Sequence, residues 1–115
     1  MVKLVSSTSQ RGLREWIIQR LSAIFMALYI VFFVSYLCCH SHLTFAEWHG
    51  LFAFLSMKVA TILFLLAVLY HAWIGIWTIL TDYVKIFVLR CILNSLVLLM
   101  LFACFFWGFM ILWSV

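Results

Sequence analysis

His71 is the residue of this chain best placed to do chemistry. It lies in the run Val59 to Leu80, which contains no Lys, Arg, Asp or Glu to pair with it. An imidazole in hydrocarbon needs a partner for each ring nitrogen, and is costly without one. It is also a good iron ligand. On a helix turning about 100° per residue, Gly75, Thr78 and Asp82 fall within about 40° of His71. One stripe therefore carries an imidazole, a glycine one turn on, a hydroxyl and a carboxylate. Gly75 removes side-chain bulk where a flat macrocycle or a second helix would approach. Spacing alone leaves three roles open to His71: haem ligation, a hydrogen bond to a neighbouring helix, or a proton relay.

The stripe runs into Thr81-Asp82-Tyr83-Val84-Lys85. Tyr83 offers a phenol at the membrane interface, where it can donate to a quinone carbonyl, and Asp82 is near enough in sequence to help deliver a proton. The plainer reading makes Tyr83 an aromatic-belt residue and Asp82 a loop carboxylate paired with Lys85. Arg20, in the segment before the first apolar run, has three options. It can pair with a haem propionate, sit near a quinone, or snorkel to lipid phosphates. His40, His42 and His49 cluster loosely between the first two apolar runs, without the acidic pair or cysteine that would complete a metal set.

These residues must be held by helices in lipid. The chain has 115 residues, 70% hydrophobic and 9% charged, with mean hydropathy +1.29. Soluble domains hold roughly 45–50% apolar and about 25% charged residues, and a chain this short cannot hide the excess from water. Three windows lack charge, Leu21–Cys39, Val59–Leu80 and Cys91–Val115, of 19, 22 and 25 residues. A spanning helix needs about 20. Their continuous rather than alternating apolarity argues against strands, and the absence of proline removes any obligatory kink. The expected fold is all-α: one transmembrane anchor domain over residues 1–115, with three helices at about 16–39, 58–82 and 89–114.

Lys3, Arg11, Arg14 and Arg20 precede the first helix, Lys85 and Arg90 lie between the second and third, and only Lys58 falls on the other side. Six against one predicts a cytoplasmic N-terminus, an outer loop at 40–58, an inner loop at 81–90 and a periplasmic C-terminus. The net charge of +4 is then a topology signal and a contact with anionic lipids, not a nucleic-acid footprint. The first apolar run begins late and lacks a cleavage site, so it reads as a retained helix. No mitochondrial presequence is evident, which fits a bacterial inner membrane or an organelle-encoded chain. Trp48 and Phe52 are expected at head-group level on the outer side with Trp113, and Trp16 on the inner side. Cys38, Cys39, Cys91 and Cys104 form no CxxC pair and read as small apolar fillers. In the third helix Asn94 and Ser95 lie near the inner end, and Gly108 reads as a packing notch.

A single membrane histidine supplies a single axial ligand, so a six-coordinate haem would take its second from another polypeptide. Three helices also make a poor shell for a cofactor of that size. Both points predict an obligatory membrane partner.

Together, the segments Trp16-Ile17-Ile18-Gln19-Arg20-Leu21-Ser22-Ala23, Leu43-Thr44-Phe45-Ala46-Glu47-Trp48, His71-Ala72-Trp73-Ile74-Gly75-Ile76-Trp77 and Leu80-Thr81-Asp82-Tyr83-Val84-Lys85 carry a resemblance over nearly the whole chain. They resemble the hydrophobic membrane anchor subunit of succinate dehydrogenase, the small cytochrome b subunit of respiratory complex II in its enterobacterial form. The resemblance implies that His71 ligates haem b, that Tyr83 binds ubiquinone, and that Asp82 stands beside it. It implies a flavoprotein subunit, an iron–sulfur subunit, and a second cytochrome b subunit supplying the other axial histidine. The implied function is to anchor the enzyme and help pass electrons from succinate to the quinone pool; alone, the chain would have no catalytic activity. Two rivals remain: the anchor of a fumarate reductase, working in the opposite direction, and a small structural membrane subunit with no redox role. One departure is visible. Family members often carry proline after the Asp-Tyr-Val-Lys run, where this chain has Ile86, which leaves the turn into the third helix without its usual constraint.

Overall fold

A computed structural model describes residues 12–115 in full and the backbone of residues 2–11. The contributions of Lys3 and Arg11 to the inner basic cluster lie outside the described residues. The chain is all-helical, in the order α1 (Val2–Cys39), α2 (Phe45–Ala53), α3 (Leu55–Tyr83) and α4 (Phe87–Trp113). Among the described residues three stretches are long and apolar enough to span a membrane: Gly12–Cys39, Leu55–Tyr83 and Phe87–Trp113, with window hydropathies of 2.3, 2.2 and 2.5. The molecule is a multi-pass membrane protein.

The helices run longer than the charge-free windows because charge does not end a helix; only backbone chemistry does. α1 extends back to Val2 and α3 begins at Leu55. The largest difference from expectation is α2, a nine-residue helix inside the supposed outer loop. Its cause is local. Glu47 Oε2 accepts from the Thr44 N–H at 2.8 Å, and Thr44 Oγ1 accepts from the Glu47 N–H at 3.3 Å. This reciprocal capping box satisfies two orphan donors of the first turn. The Thr44 backbone bond, with the hydroxyl behind it, holds the Glu47 carboxyl below the usual carboxylate range.

Three residues, Val84 to Ile86, join α3 to α4. Ile86 adopts φ −75° and ψ 117°, close to the φ of about −65° that a proline ring would impose. The extended link is therefore kept without the proline. Its ends close with the Val84 N–H on Leu80 O and the Arg90 N–H on Ile86 O, each at 3.0 Å.

α3 packs against both α1 and α4. The α1 seam is tied by polar and aromatic contacts. Thr61 Oγ1 donates to Met57 O at 2.8 Å and so accepts the Tyr29 hydroxyl at 2.7 Å, while the Tyr29 and Phe64 rings stack at 4.3 Å. The α4 seam is a small-residue contact: a Cβ added at Gly108 would meet Leu65 Cδ2 at 2.7 Å. Gly108 is thus a packing notch, as its position suggests. At the far end of this seam Lys58 Nζ lies over the Trp113 ring at 5.6 Å, and Phe33, Trp48 and Phe52 form an aromatic cluster joining α1 to α2.

Among the described residues only Met57 and Leu112 are buried, each 7% exposed, while large apolar side chains stand exposed along α1, α3 and α4. Lipid removes the penalty for that exposure, and in lipid helices associate through packing and polar ties rather than hydrophobic burial. The four cysteines are all exposed and unbonded on helix surfaces, facing whatever surrounds the chain.

Candidate functional site at the α1–α3 seam

His71 is half-buried on α3 and turned toward α1. Ser22 Oγ donates to Gln19 O at 2.9 Å, which commits its single proton. Its contact with His71 Nδ1 at 3.2 Å must then be accepted from an N–H on that nitrogen. The arrangement matches the tautomer with Nδ1 protonated and the lone pair on Nε2. Near Nε2 stands only the Gln19 amide, with Nε2 of Gln19 at 3.5 Å from the ring nitrogen and 3.4 Å from His71 O. Both bonds are at the long limit of hydrogen bonding. The other end of that amide, Gln19 Oε1, is buried with no partner. One ring nitrogen of His71 is thus firmly held and the other is weakly engaged.

Beside this cluster a groove of about 380 Å³ opens between α1 and α3, lined by Gly12, Glu15, Trp16, Gln19, Arg20, Ile74, Gly75 and Thr78. Gly75 borders open space, since a Cβ there would meet nothing within 4 Å. The contrast with Gly108 is informative. The notch at Gly108 is filled from within the chain, whereas that at Gly75 is left open. Arg20 lines the groove, its guanidinium carbon 5.4 Å from the centre of the Trp16 ring. Thr78 Oγ1 is spent on Ile74 O at 2.8 Å, so the polar walls are made by Glu15, Gln19 and Arg20.

The seam brings together Arg20, His71 and Gly75 of the residues singled out by sequence. It does not bring Asp82 and Tyr83 to them. Both stand exposed at the last turn of α3, Tyr83 at 80%, about two turns beyond Gly75. Gln19 and Ser22, the partners of His71, were not singled out in advance. Their signal is present nonetheless, as two polar side chains three residues apart on one face where α1 passes into its apolar run. Of the loop histidines, His40 is spent locally, its Nδ1 3.0 Å from Tyr36 O and its ring stacked on Tyr36 at 4.3 Å. Among the described residues no three His, Cys, Asp or Glu side chains gather as a metal-binding group.

Fold and site define a class: a small three-span membrane subunit with an inward histidine, an open glycine groove, and apolar faces left for lipid or partners. The sequence profile of the succinate dehydrogenase/fumarate reductase transmembrane subunit matches residues 4–112, and the chain belongs to that family. It is also 43% identical over 110 residues to the succinate dehydrogenase hydrophobic membrane anchor subunit of Coxiella burnetii (strain RSA 493 / Nine Mile phase I), covering 96% of both chains.

Proposed function

We propose that this chain anchors a succinate dehydrogenase in the bacterial inner membrane, shares a haem b with a second cytochrome b subunit through His71, and contributes Tyr83 to a ubiquinone site. Likeness to a relative named as such an anchor over nearly its whole length favours this reading over the fumarate reductase rival. The observation that carries the haem assignment is the setting of His71: Nδ1 lies 3.2 Å from Ser22 Oγ, and Nε2 meets a long contact from a displaceable amide. That is the setting an axial ligand requires.

The residues present fit a haem. His71 would hold the iron, the open surface at Gly75 admits the edge of a macrocycle, and Arg20 in the same groove is suited to a propionate. Arg20 borders Gly75 rather than Tyr83, which supports the propionate role over the quinone role. The haem, when bound, supplies one-electron chemistry. His71, Gly75 and Arg20 would orient it.

Tyr83 and Asp82 stand at the end of α3 that leads into Lys85 in the link and Arg90 in the first turn of α4, the cytoplasmic end by the distribution of basic residues. A quinone bound there would meet electrons from a cytoplasmic iron–sulfur subunit without charge crossing the membrane. Tyr83 would donate to a quinone carbonyl and Asp82 would assist proton uptake. The exposure of both side chains supports a site completed by partner subunits. A flavoprotein subunit would supply the electrons by oxidising succinate.

The test is a reduced-minus-oxidised spectrum of the purified membrane complex. The expected result is a b-type band that is lost or strongly altered in His71→Ala. A band unchanged by that substitution would leave His71 with only its hydrogen bonds to α1, and the chain with only an anchoring role.

A further inference from the structure

The bond between Ser22 and His71 has a consequence for the iron. Ser22 and Gln19 are one turn apart on α1, and both reach across the seam to the same imidazole. Their bonds are not equivalent. The hydroxyl of Ser22 is anchored to Gln19 O at 2.9 Å, so its lone pairs are aimed at a fixed place and accept from Nδ1 at 3.2 Å. The amide of Gln19 makes two bonds of 3.4–3.5 Å and leaves Oε1 orphaned. Moving Gln19 aside therefore costs little, because its present position satisfies it poorly. Moving Ser22 aside would strand Nδ1 in an apolar seam.

We propose that Ser22 is a positioning residue for the haem ligand: it fixes the tautomer and ring plane of His71, keeps Nε2 as the ligating nitrogen, and raises the electron-donating power of the imidazole. Gln19 is the displaceable cover of Nε2 and swings off when iron binds. The proposal rests on haem ligation by His71 and goes beyond it by assigning what tunes that ligand. A hydrogen bond accepted from the far nitrogen gives an imidazole partial imidazolate character, which favours the ferric state. Removing it should weaken ligation and make reduction easier.

The experiment uses the assembled, detergent-purified complex, with Ser22→Ala, Ser22→Cys and Ser22→Thr. Ser22→Cys keeps the volume with a poor acceptor, and Ser22→Thr keeps the hydroxyl. The readouts are haem retention during dilution, the midpoint potential of the b-type band, and the electron-spin resonance of the ferric haem. Ser22→Ala and Ser22→Cys should lose haem with about 10- to 100-fold weaker affinity and titrate at a more positive potential, while Ser22→Thr returns both toward the parent. Unchanged potential and affinity in Ser22→Ala and Ser22→Cys would overturn the proposal, as would equal loss in all three variants. His71→Ala in parallel separates the two levels. If its haem signal is lost while Ser22→Ala matches the parent, ligation stands and only the positioning role falls. If its haem signal is unchanged, both fall.

Discussion

The chemistry of single residues in this chain is decided by whether a polar atom already has a partner. Nδ1 of His71 has one in Ser22, and Nε2 has only a long contact. The open atom is the one available to a ligand. Tyr83 is similar: its side chain is 80% exposed at the end of α3, and its phenol takes no hydrogen bond among the described residues. A phenol at that depth is free to donate to a quinone carbonyl. Tyr83→Phe should therefore lower quinone reduction roughly fivefold, the worth of one hydrogen bond of about 1 kcal/mol. Succinate oxidation measured with a water-soluble artificial acceptor should stay at the parent rate. Equal loss of both activities would mean that Tyr83 serves assembly instead.

At the scale of helices, the two membrane glycines of α3 and α4 do different work. Gly108 admits Leu65 and lets α4 approach α3; Gly75 admits nothing from this chain. Gly108→Val should overpack that seam and destabilise the complex by about 1–3 kcal/mol, seen as a lower melting temperature at an unchanged haem-to-protein ratio. Gly75→Val should do the reverse, leaving the melting of the α3–α4 pair alone while lowering the haem ratio. Loss of melting temperature in both variants, with haem kept in both, would make Gly75 a helix-packing residue for a partner. The seams themselves are slender. α1 is tied to α3 by Tyr29–Thr61 toward one end and by Ser22–His71 toward the other, each worth about 0.6–2 kcal/mol in a membrane.

At the scale of the molecule, nearly all apolar surface of the described residues lies on the outside, with only Met57 and Leu112 among them buried. An apolar groove of about 290 Å³ lies along α3 and α4, bordered by Leu66, Trp73, Leu98 and Phe102 among others, and the Gly75 groove lies against α1. A haem in the Gly75 groove would touch this chain on one side only. Expressed without partner subunits, the chain should insert into membranes yet hold haem weakly, with a b-type signal far below one haem per chain. A stable, fully occupied haem in the lone chain would show that the ligand set is not shared.

Much of this protein was legible in the residues themselves. Three charge-free windows required three spanning helices, because backbone polar groups in hydrocarbon must be satisfied within the segment. A histidine without a charged neighbour marked the place where chemistry was possible. Helix ends were less legible. The windows marked where charge stops, while α2 was set by Thr44 and Glu47, a capping pattern present in the sequence but masked by its place in a presumed loop. What only the tertiary structure decided was which nitrogen of His71 faces Ser22 and which faces Gln19, that Arg20 shares a groove with Gly75 and not with Tyr83, and which glycine is filled from inside. Those outcomes depend on the register between α1, α3 and α4. That register is set by side-chain contacts across seams, such as Ser22 on His71 and Leu65 on Gly108, and the periodicity of any one helix carries no information about it.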